Sequence, residues 1–381
     1  MLIVFLGVLR DGKSCAKNFF KKEWILHIDP DEILDHGLIK SMKKIKVTTS
    51  SNCKDTLLNR QTPKEKAQWK DYFFSINDKK DKKCDYWIVF EGMNSPEEVI
   101  CKKGGKILFT TEPEAYKKYN EKFLCQFDHI ITSHESINHE GVIRDHQSQP
   151  WFVGRKFDFK KKKWSANYSK TYDELKGIEE IGKTKLASVI CSNKVTTPGH
   201  RKRLRFIKRL KKSLGDKIDF FGKGFQPISD KWDAIAPYKY HICLENTATK
   251  DYWTEKISDS YLGLSYPIYW GCTNMSEYFP EDTYSYIDIN NPDKAIERVE
   301  KILTSNTYKE HLDDVKKAKD LVLDTYNFFP HVVDLIESRI KTNEIKKTYY
   351  LHPERSNPIS IFGRVFRSKV WNVYANLSQL K

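Results

Sequence analysis

Residues 238–271 read YKYHICLENTATKDYWTEKISDSYLGLSYPIYWG, and this pattern predicts one unit of a parallel α/β sheet. The apolar run Tyr240–Leu244 predicts a strand, a helix begins at Thr254–Lys256, and a second strand spans Tyr266–Trp270 before Gly271. A strand, a loop and a helix followed by another strand form the repeating unit of parallel α/β sheets. The polar residues fall at the carboxyl edge of the sheet, where open α/β sheets bind their ligands. We therefore expect a binding site at this edge.

The residues at this edge suit a ligand that contains phosphate. A helix N-terminus presents free N–H groups to a phosphate, and Lys256 in the first helical turn adds the positive charge that a diphosphate requires. Glu245, Asn246 and Glu255 suit a site that holds ribose hydroxyls and a base. Taken singly, these residues are also typical of a solvated first turn and an ordinary loop. Their combination and order favour the binding site.

Four short motifs follow one another in this segment: Tyr238-Lys239-Tyr240, Leu244-Glu245-Asn246, Tyr252-Trp253-Thr254-Glu255-Lys256 and Pro267-Ile268-Tyr269-Trp270-Gly271. In this order they resemble the donor-binding signature of glycosyltransferase family 10, the α1,3/1,4-fucosyltransferases, here of bacterial type. The resemblance implies an α/β fold of the glycosyltransferase B architecture, with two Rossmann-like domains facing a cleft. It implies a hexosyltransferase that moves L-fucose from GDP-β-L-fucose to a hydroxyl of an acceptor glycan, with inversion and an α1,3 or α1,4 linkage. In such a site Asn246 and Glu255 hold the nucleoside end of the donor, and Tyr252 closes over its phosphates.

The length and the distribution of apolar runs predict two α/β domains. A chain of 381 residues with 39% hydrophobic residues is long enough for two domains of ordinary size. Further strands are predicted at Ile3–Leu6, Trp24–Ile28, Ile45–Thr48, Tyr86–Phe90, Ile107–Thr110, His129–Thr132, Leu186–Cys191, Ile218–Phe221 and Tyr284–Ile289. We predict an acceptor-side domain in residues 1–155, a linker or irregular crossover in 156–185, a GDP-sugar-binding domain in 186–342 and a basic amphipathic tail in 343–381.

A basic helix is predicted after the turn at Pro198-Gly199. Nine of the seventeen residues 201–217 are basic, which is typical of a solvated helix face or of a stripe that binds nucleic acid. The resemblance gives a narrower role, because an arginine of this helix contacts the donor diphosphate in family 10. The local pattern Arg203-Leu204-Arg205-Phe206 matches best with Arg203 as that residue, although Arg201 and Arg205 lie close in sequence.

Glu112 is the predicted catalytic base. It follows the predicted strand Ile107–Thr110 and precedes Pro113, so its carboxylate is expected to face the cleft between the domains. An inverting transfer needs one base there, to take the proton of the acceptor hydroxyl. Family 10 has a glutamate in a Gly-Glu-Asn context in this role, whereas the context here is Thr-Glu-Pro. By this resemblance Glu112, Arg203 and Lys256 are the catalytic residues, and His134 is the alternative base.

We expect no essential metal and no cofactor beyond the donor substrate. Asp29-Pro30-Asp31 imitates the DxD motif with which glycosyltransferases of another fold hold a divalent cation. A cation needs oxygen ligands that converge from several places, and the sequence offers no partners for this pair. Arg203, Lys256 and a helix N-terminus can supply the positive charge instead.

The eight cysteines predict a reducing compartment. They are scattered, without a CxxC pair, and several lie in strand-like runs, as Cys191 and Cys243 do. Free buried thiols explain this distribution better than a disulfide framework or a zinc site. The apolar run at residues 1–9 lacks a basic leader and is expected to be a buried strand. We therefore expect a cytoplasmic protein, with a role in glycan or lipopolysaccharide biosynthesis or in protein glycosylation.

The tail has the composition of an in-plane membrane anchor. In residues 359–381 apolar positions recur at helical spacing, with Phe362, Phe366 and Trp371 among them and basic residues between. This pattern predicts peripheral contact with the inner face of a membrane. The alternative is a helix packed on the enzyme itself or on a second subunit, so the sequence leaves a homo-oligomer open.

The net charge of +15 leaves two other functions open. A basic nucleic-acid-binding protein without catalysis would use the 201–217 stripe, but it does not explain Glu245-Asn246 or Tyr252–Lys256. We therefore expect no nucleic-acid partner. A glycosyltransferase of the same fold with another nucleotide sugar is the second alternative, because the motif recognises nucleotide and diphosphate more than the sugar. The acceptor is expected to contain galactose or N-acetylglucosamine.

Overall fold

The computed structural model of the chain describes residues 42–50 and 55–354. The predicted strands Ile3–Leu6 and Trp24–Ile28, the pair Asp29 and Asp31, and the apolar positions of the tail from 359 onward lie outside the described residues. Within the described ranges, none of the helices has the length and apolar composition needed to cross a bilayer.

The first half of the chain builds a seven-stranded sheet in the order β2-β3-β1-β4-β6-β7-β8. Its neighbouring strands are parallel, except that β2 is antiparallel to β3. The strands are β1 (Lys43–Thr49), β2 (Gln68–Trp69), β3 (Tyr72–Ile76), β4 (Tyr86–Phe90), β6 (Lys106–Phe109), β7 (His129–Thr132) and β8 (Val142–Arg144), with β5 (Glu97–Lys103) beside them and the short helices α1 (Asp55–Asn59) and α2 (Glu121–Leu124). Every residue of β4 is buried, as expected for a central strand of a covered parallel sheet.

The second half builds a fully parallel five-stranded sheet in the order β12-β11-β13-β14-β15. Its strands are β11 (Lys185–Ile190), β12 (Ile218–Phe221), β13 (Tyr238–Leu244), β14 (Tyr266–Trp270) and β15 (Ser285–Tyr286), and its helices are α4 (Pro198–Leu214), α5 (Glu255–Leu262), α6 (Pro292–Leu303), α7 (Thr307–Glu310) and α8 (Leu312–Leu321). The predicted unit of residues 238–271 is therefore β13-α5-β14. The predicted α/β class is confirmed, with one largely parallel and one fully parallel sheet.

The segment predicted as a linker has regular structure. It contains the antiparallel hairpin of β9 (Arg155–Asp158) and β10 (Lys163–Tyr168), followed by the short helix α3 (Tyr172–Lys176). Thr171 and Glu174 form a capping box at the start of α3. Both strands of the hairpin mix basic, polar and aromatic residues, so they lack the apolar runs that predicted the other strands.

The end of the described chain returns to the first half, which differs from the predicted boundary at 342. Helix α9 (Phe328–Ser338) packs on the first sheet, where Phe328 and Phe329 contact the rings of Phe90 and Phe74 with centroids 5.2 and 4.7 Å apart. Strand β16 (Asn343–Leu351) then pairs antiparallel with β5. The predicted tail 343–381 therefore begins with a strand, because β5 offers it an open edge.

A buried histidine in the second sheet makes the stability of the fold depend on pH. His241 of β13 is 3% exposed, and its Nδ1 lies 2.8 Å from Oγ of Ser188, which donates to the carbonyl of Ala234. Burial, helped by the nearby ammonium groups of Lys231 and Lys183, lowers the pKa of His241 to about 3. The folded sheet thus holds this imidazole neutral.

We expect the free energy of unfolding to fall as the pH falls below the ordinary histidine pKa of about 6.5. At such pH values His241 binds a proton in the unfolded chain but stays neutral in the folded one. The contribution of this residue is about 1.4 kcal/mol for each pH unit until its folded pKa is reached. Urea denaturation between about pH 7 and pH 5 should show a weaker pH dependence in His241→Asn than in the unsubstituted chain. The exposed His352, replaced by Asn, is the control. Equal pH dependence in His241→Asn and the unsubstituted chain would contradict this account.

Candidate functional site

A cavity of about 430 Å³ opens at the carboxyl ends of β11 and β13. Its walls come from the ends of these strands, from the first turns of α4 and α5, from the loop that follows β12, and from the hairpin β9–β10. Four of the predicted site residues line it: Arg203, Asn246, Glu255 and Lys256. The fold thus brings together four predicted residues that are distant in the chain, because they lie at one edge of the sheet.

Arg203 reaches the cavity because α4 starts close to the end of β13. Thr197 caps this helix by accepting from the backbone N–H of His200, and Pro198 occupies its first turn. Gly199 is required here, since a Cβ atom would overlap the carbonyl oxygen of Asn246. The Arg203 guanidinium is 6% exposed and donates to Oδ1 of Asn246 at 2.6 Å.

Of the three arginines considered for the diphosphate, Arg203 lies on the cavity wall. Arg201 donates to the carbonyl of Val195 at 3.1 Å, and Arg205 is exposed. The Nε atom of Arg203 is buried without a hydrogen-bond partner among the described residues. The guanidinium donates to the uncharged oxygens of Asn246 and Leu244, so its positive charge remains available to an anion.

Glu245 orients Lys256 from below the cavity wall. Its side chain is fully buried and accepts from the backbone N–H and the hydroxyl of Thr254, both at 2.9 Å. Nζ of Lys256 lies 3.1 Å from the same carboxylate. Glu245 therefore does not face a ligand, in contrast to the sequence interpretation. Gly271, the last residue of the predicted motif, leaves room for it, because a Cβ there would contact Cγ of Glu245.

Glu255 is held by Lys231, a residue that the sequence prediction missed. Nζ of Lys231 lies 3.0 Å from Glu255 and 2.9 Å from Asp259. Burial opposes ionisation of Glu255, but the ammonium groups of Lys231 and Lys256 outweigh it and hold the pKa of Glu255 well below its ordinary value. Lys231 lies in a 3₁₀ turn (Lys231–Ala234) after β12 and belongs to no motif, so no local signal could have identified it.

The cavity is strongly cationic. Six cationic side chains line it, against the two carboxylates of Glu255 and Asp259: Arg155, Lys194, Arg203, Lys223, Lys231 and Lys256. Because Lys231 is already shared between those two carboxylates, the remaining positive charge exceeds the negative charge of the walls. Such a cavity suits a polyanionic ligand of the size of a nucleoside diphosphate.

Glu112 and Tyr252 do not line this cavity. Glu112 follows β6 in the first half, and burial, with the carboxylate of Glu91 nearby, raises its pKa while Lys256 opposes the rise. Tyr252 is 1% exposed, and burial, followed by the charges of Glu245 and Glu112, raises its pKa well above the ordinary value. Both side chains therefore lie within electrostatic reach of the cavity without forming its wall.

His134 supports the backbone beside Glu112. Its Nε2 lies 2.7 Å from the carbonyl oxygen of Glu112, and the side chain is 1% exposed. Burial lowers the pKa of His134. In the same loop the ring of Tyr116 meets the ring of His200 on the first turn of α4, with centroids 6.5 Å apart. This contact brings the Glu112 loop next to the second half of the chain.

Among the described residues, Asp145, His146 and His331 have ligand atoms within 4.8 Å of one another, close enough for a metal ion. The two imidazole rings are stacked, with centroids 3.9 Å apart and planes at 18°. An ion in the plane of one ring would therefore lie outside the plane of the other. Arg339 also pairs with Asp145 at 2.8 Å. The geometry fits a packed ring stack better than a metal centre, and these residues do not line the cavity.

Comparison with known proteins gives a consistent picture. Residues 181–320 match the family model described as glycosyltransferase family 10 (fucosyltransferase) C-term. The α-(1,3)-fucosyltransferase FucT of Helicobacter pylori is 34% identical over 87 residues, which are 22% of this chain and 18% of that protein. The 4-galactosyl-N-acetylglucosaminide 3-α-L-fucosyltransferase 9 of Mus musculus is 27% identical over 177 residues, 45% of this chain and 47% of that protein. The match thus spans less than half the length of these curated relatives.

Among solved structures, an α1,3-fucosyltransferase crystallised with GDP is similar with a TM-score of 0.44 and 17% identity, over 78% of this chain and 95% of that one. The family match is the informative one for the site, because its range contains β11, α4, β13 and α5, which carry Arg203, Asn246, Glu255 and Lys256. Residues 181–320 are thus similar to the C-terminal part of glycosyltransferase family 10, the fucosyltransferase family.

Proposed function

We propose that this chain is a glycosyltransferase that moves L-fucose from GDP-β-L-fucose to a hydroxyl group of an acceptor glycan. The cationic cavity at the carboxyl edge of the second sheet carries this proposal, because Arg203 and Lys256 meet there beside the N-terminus of α5. The family match of residues 181–320 and the α1,3-fucosyltransferases among the relatives support it.

The donor diphosphate lies against Arg203 and Lys256 in this proposal. When the bond between the sugar and GDP breaks, negative charge grows on the β-phosphate, and fixed cations that are already in place stabilise that charge. Glu245 holds Lys256 in position at 3.1 Å, and Asn246 holds Arg203 at 2.6 Å. Asn246 and Glu255 are the proposed contacts of the nucleoside end. Tyr252 packs behind the phosphates, since it is buried.

We propose that these cations replace a metal ion at the diphosphate. Arg203 donates to the uncharged oxygens of Asn246 and Leu244, so these contacts do not neutralise its charge. Transfer in the presence of a chelator should then equal transfer with added Mg²⁺ or Mn²⁺.

The transfer step inverts the configuration of the sugar carbon. The acceptor oxygen forms a bond to C1 of fucose on the face opposite GDP, and the C1–O bond to the β-phosphate breaks with its electron pair on GDP. Because the attack comes from the opposite face, a β-linked donor gives an α-linked product, and the acceptor proton passes to the carboxylate of Glu112. Burial raises the pKa of Glu112, which makes this carboxylate a better proton acceptor than a solvated glutamate.

The acceptor is proposed to be a glycan with galactose or N-acetylglucosamine, joined through an α1,3 linkage. The name of the mouse relative describes a 4-galactosyl-N-acetylglucosaminide as the acceptor of that protein. Incubation with GDP-fucose and a panel of such acceptors, followed by linkage analysis, tests the acceptor and separates α1,3 from α1,4. Replacing GDP-fucose by other nucleotide sugars in the same assay tests the donor. Membrane contact through residues 359–381, a cytoplasmic location and a homo-oligomer remain predictions of the sequence.

We expect Lys256→Gln to lower turnover by about 30- to 1000-fold, because a charge-assisted contact to the leaving diphosphate is worth on the order of 2–4 kcal/mol. The amide can still donate to Glu245, so this variant avoids leaving the buried carboxylate without a partner. Calorimetry with GDP should show weaker binding. The exposed Lys250, replaced by Gln, is the matched control and should bind GDP as the unsubstituted chain does. Normal turnover in Lys256→Gln would show that the donor diphosphate does not bind at Lys256.

We expect Glu112→Gln to reduce transfer by about 100-fold or more while GDP binding stays unchanged, because the amide keeps the shape but accepts no proton. In the unsubstituted chain, activity should rise with pH through the raised pKa of Glu112 and then level off, since the ionised form is the base. Glu114→Gln, on the same loop as Glu112, is the control, because the Glu114 carboxylate accepts from the backbone N–H of Ser136 in the loop after β7. Loss of GDP binding in Glu112→Gln would assign Glu112 to the donor site, and undiminished transfer would require another base.

A further inference from the structure

The hairpin β9–β10 forms a second wall of the cavity that none of the family motifs includes. It is fixed to the second half of the chain through the loop after β12. The backbone N–H of Phe157 donates to the carbonyl of Ser229 at 2.9 Å, and the hydroxyl of Ser229 donates back to the carbonyl of Phe157 at 2.9 Å. The N–H of Gly154 donates to the carboxylate of Asp230 at 2.8 Å. The position of the hairpin relative to the cavity is therefore set by hydrogen bonds.

Two side chains of this hairpin, Trp164 and Arg155, form a flat cationic and aromatic surface in the cavity. The Arg155 guanidinium lies 4.5 Å from the centre of the Trp164 ring and 5.4 Å from that of Phe152. The edge of the Trp164 ring is held by Phe157, with centroids 5.1 Å apart and planes at 70°. Trp164 nevertheless remains 46% exposed, and it lines the cavity together with Arg155 and Phe152.

The cavity thus has two chemically different parts. Lys256 and Arg203 provide fixed positive charge, whereas Trp164, Arg155 and Phe152 provide flat surfaces. A nucleoside diphosphate has the same two parts, because its phosphates are anionic and its base is a flat π-system that stacks on aromatic rings and guanidinium groups. The Nε atom of Arg155 is buried without a hydrogen-bond partner among the described residues, so one donor of its guanidinium is not engaged by them.

We propose that Trp164 and Arg155 are the stacking wall for the base of the donor nucleotide. The hairpin β9–β10 is then a nucleoside-binding element supplied by the segment between the two sheets and not by residues 181–320. This inference rests on the proposed function, since it names the residues that would hold one part of the same donor. It explains why a large aromatic side chain stays exposed at the mouth of a cavity.

The test compares two ligands on the full chain, GDP and inorganic pyrophosphate, which share the diphosphate but not the base. Calorimetry should show GDP binding about 10- to 100-fold weaker in Trp164→Ala, as expected for the loss of one base-stacking contact. Pyrophosphate should bind as it does to the unsubstituted chain. Trp164→Phe, which keeps an aromatic face, should recover most of the GDP affinity. Phe159→Ala is the matched control, because Phe159 is 51% exposed on the same hairpin but does not line the cavity.

Three outcomes would overturn the inference. Unchanged GDP affinity in Trp164→Ala would remove the base from this wall, and a rise in the acceptor KM alone would assign Trp164 to the acceptor sugar. An equal loss of pyrophosphate and GDP binding would show that Trp164 supports the phosphate end through the fold. If the unsubstituted chain binds pyrophosphate but not GDP, the proposed donor itself is wrong. This result can be told apart from a failure of the stacking proposal, because it is seen without any substitution of Trp164.

Discussion

A chain of alternating charges, with buried carboxylates and partly exposed lysines, organises the second half of this protein. Glu245, Lys256, Glu255, Lys231 and Asp259 follow one another with separations of 3.1, 3.6, 3.0 and 2.9 Å. The three carboxylates are buried and the two lysines are only partly exposed, so removal of one lysine would leave a buried carboxylate with fewer compensating charges. The network therefore holds three elements in a fixed relative arrangement: the first turns of α5, the end of β13 and the turn after β12.

The same network reaches beyond the second sheet. Asp259, at its end, accepts from the backbone N–H groups of Phe152 and Val153 at 2.8 and 3.2 Å. These residues directly precede β9, so the ion network that orients Lys256 also fixes the root of the hairpin β9–β10. The cationic and the aromatic walls of the cavity thus depend on one set of contacts. Electrostatic stabilisation of a developing charge requires such groups to be in place before the ligand arrives.

The sequence was sufficient for features that are local and insufficient for those that join distant segments. The strands of the second sheet and the cluster of Arg203, Asn246, Glu255 and Lys256 followed from apolar runs and a motif, because strand ends of a parallel sheet share one edge. Lys231 and Trp164 carried no local signal, since their positions depend on contacts with α5 and with the cavity. The packing of α9 on the first sheet was likewise missed, because apolar periodicity identifies a buried face but not the element that covers it.

The proposed base and the donor site are linked through packed rings. Trp253 directly precedes the first turn of α5 and stacks on His146 with centroids 4.6 Å apart. His146 follows β8 of the first half and stacks in turn on His331 of α9 at 3.9 Å. Burial lowers the pKa of His146 well below its ordinary value, so this ring is neutral in the stack. A close-packed stack resists displacement, and it joins the start of α5 to the half of the chain that carries Glu112. Together with the contact between Tyr116 and His200, these stacked rings hold the Glu112 loop beside the proposed donor cavity.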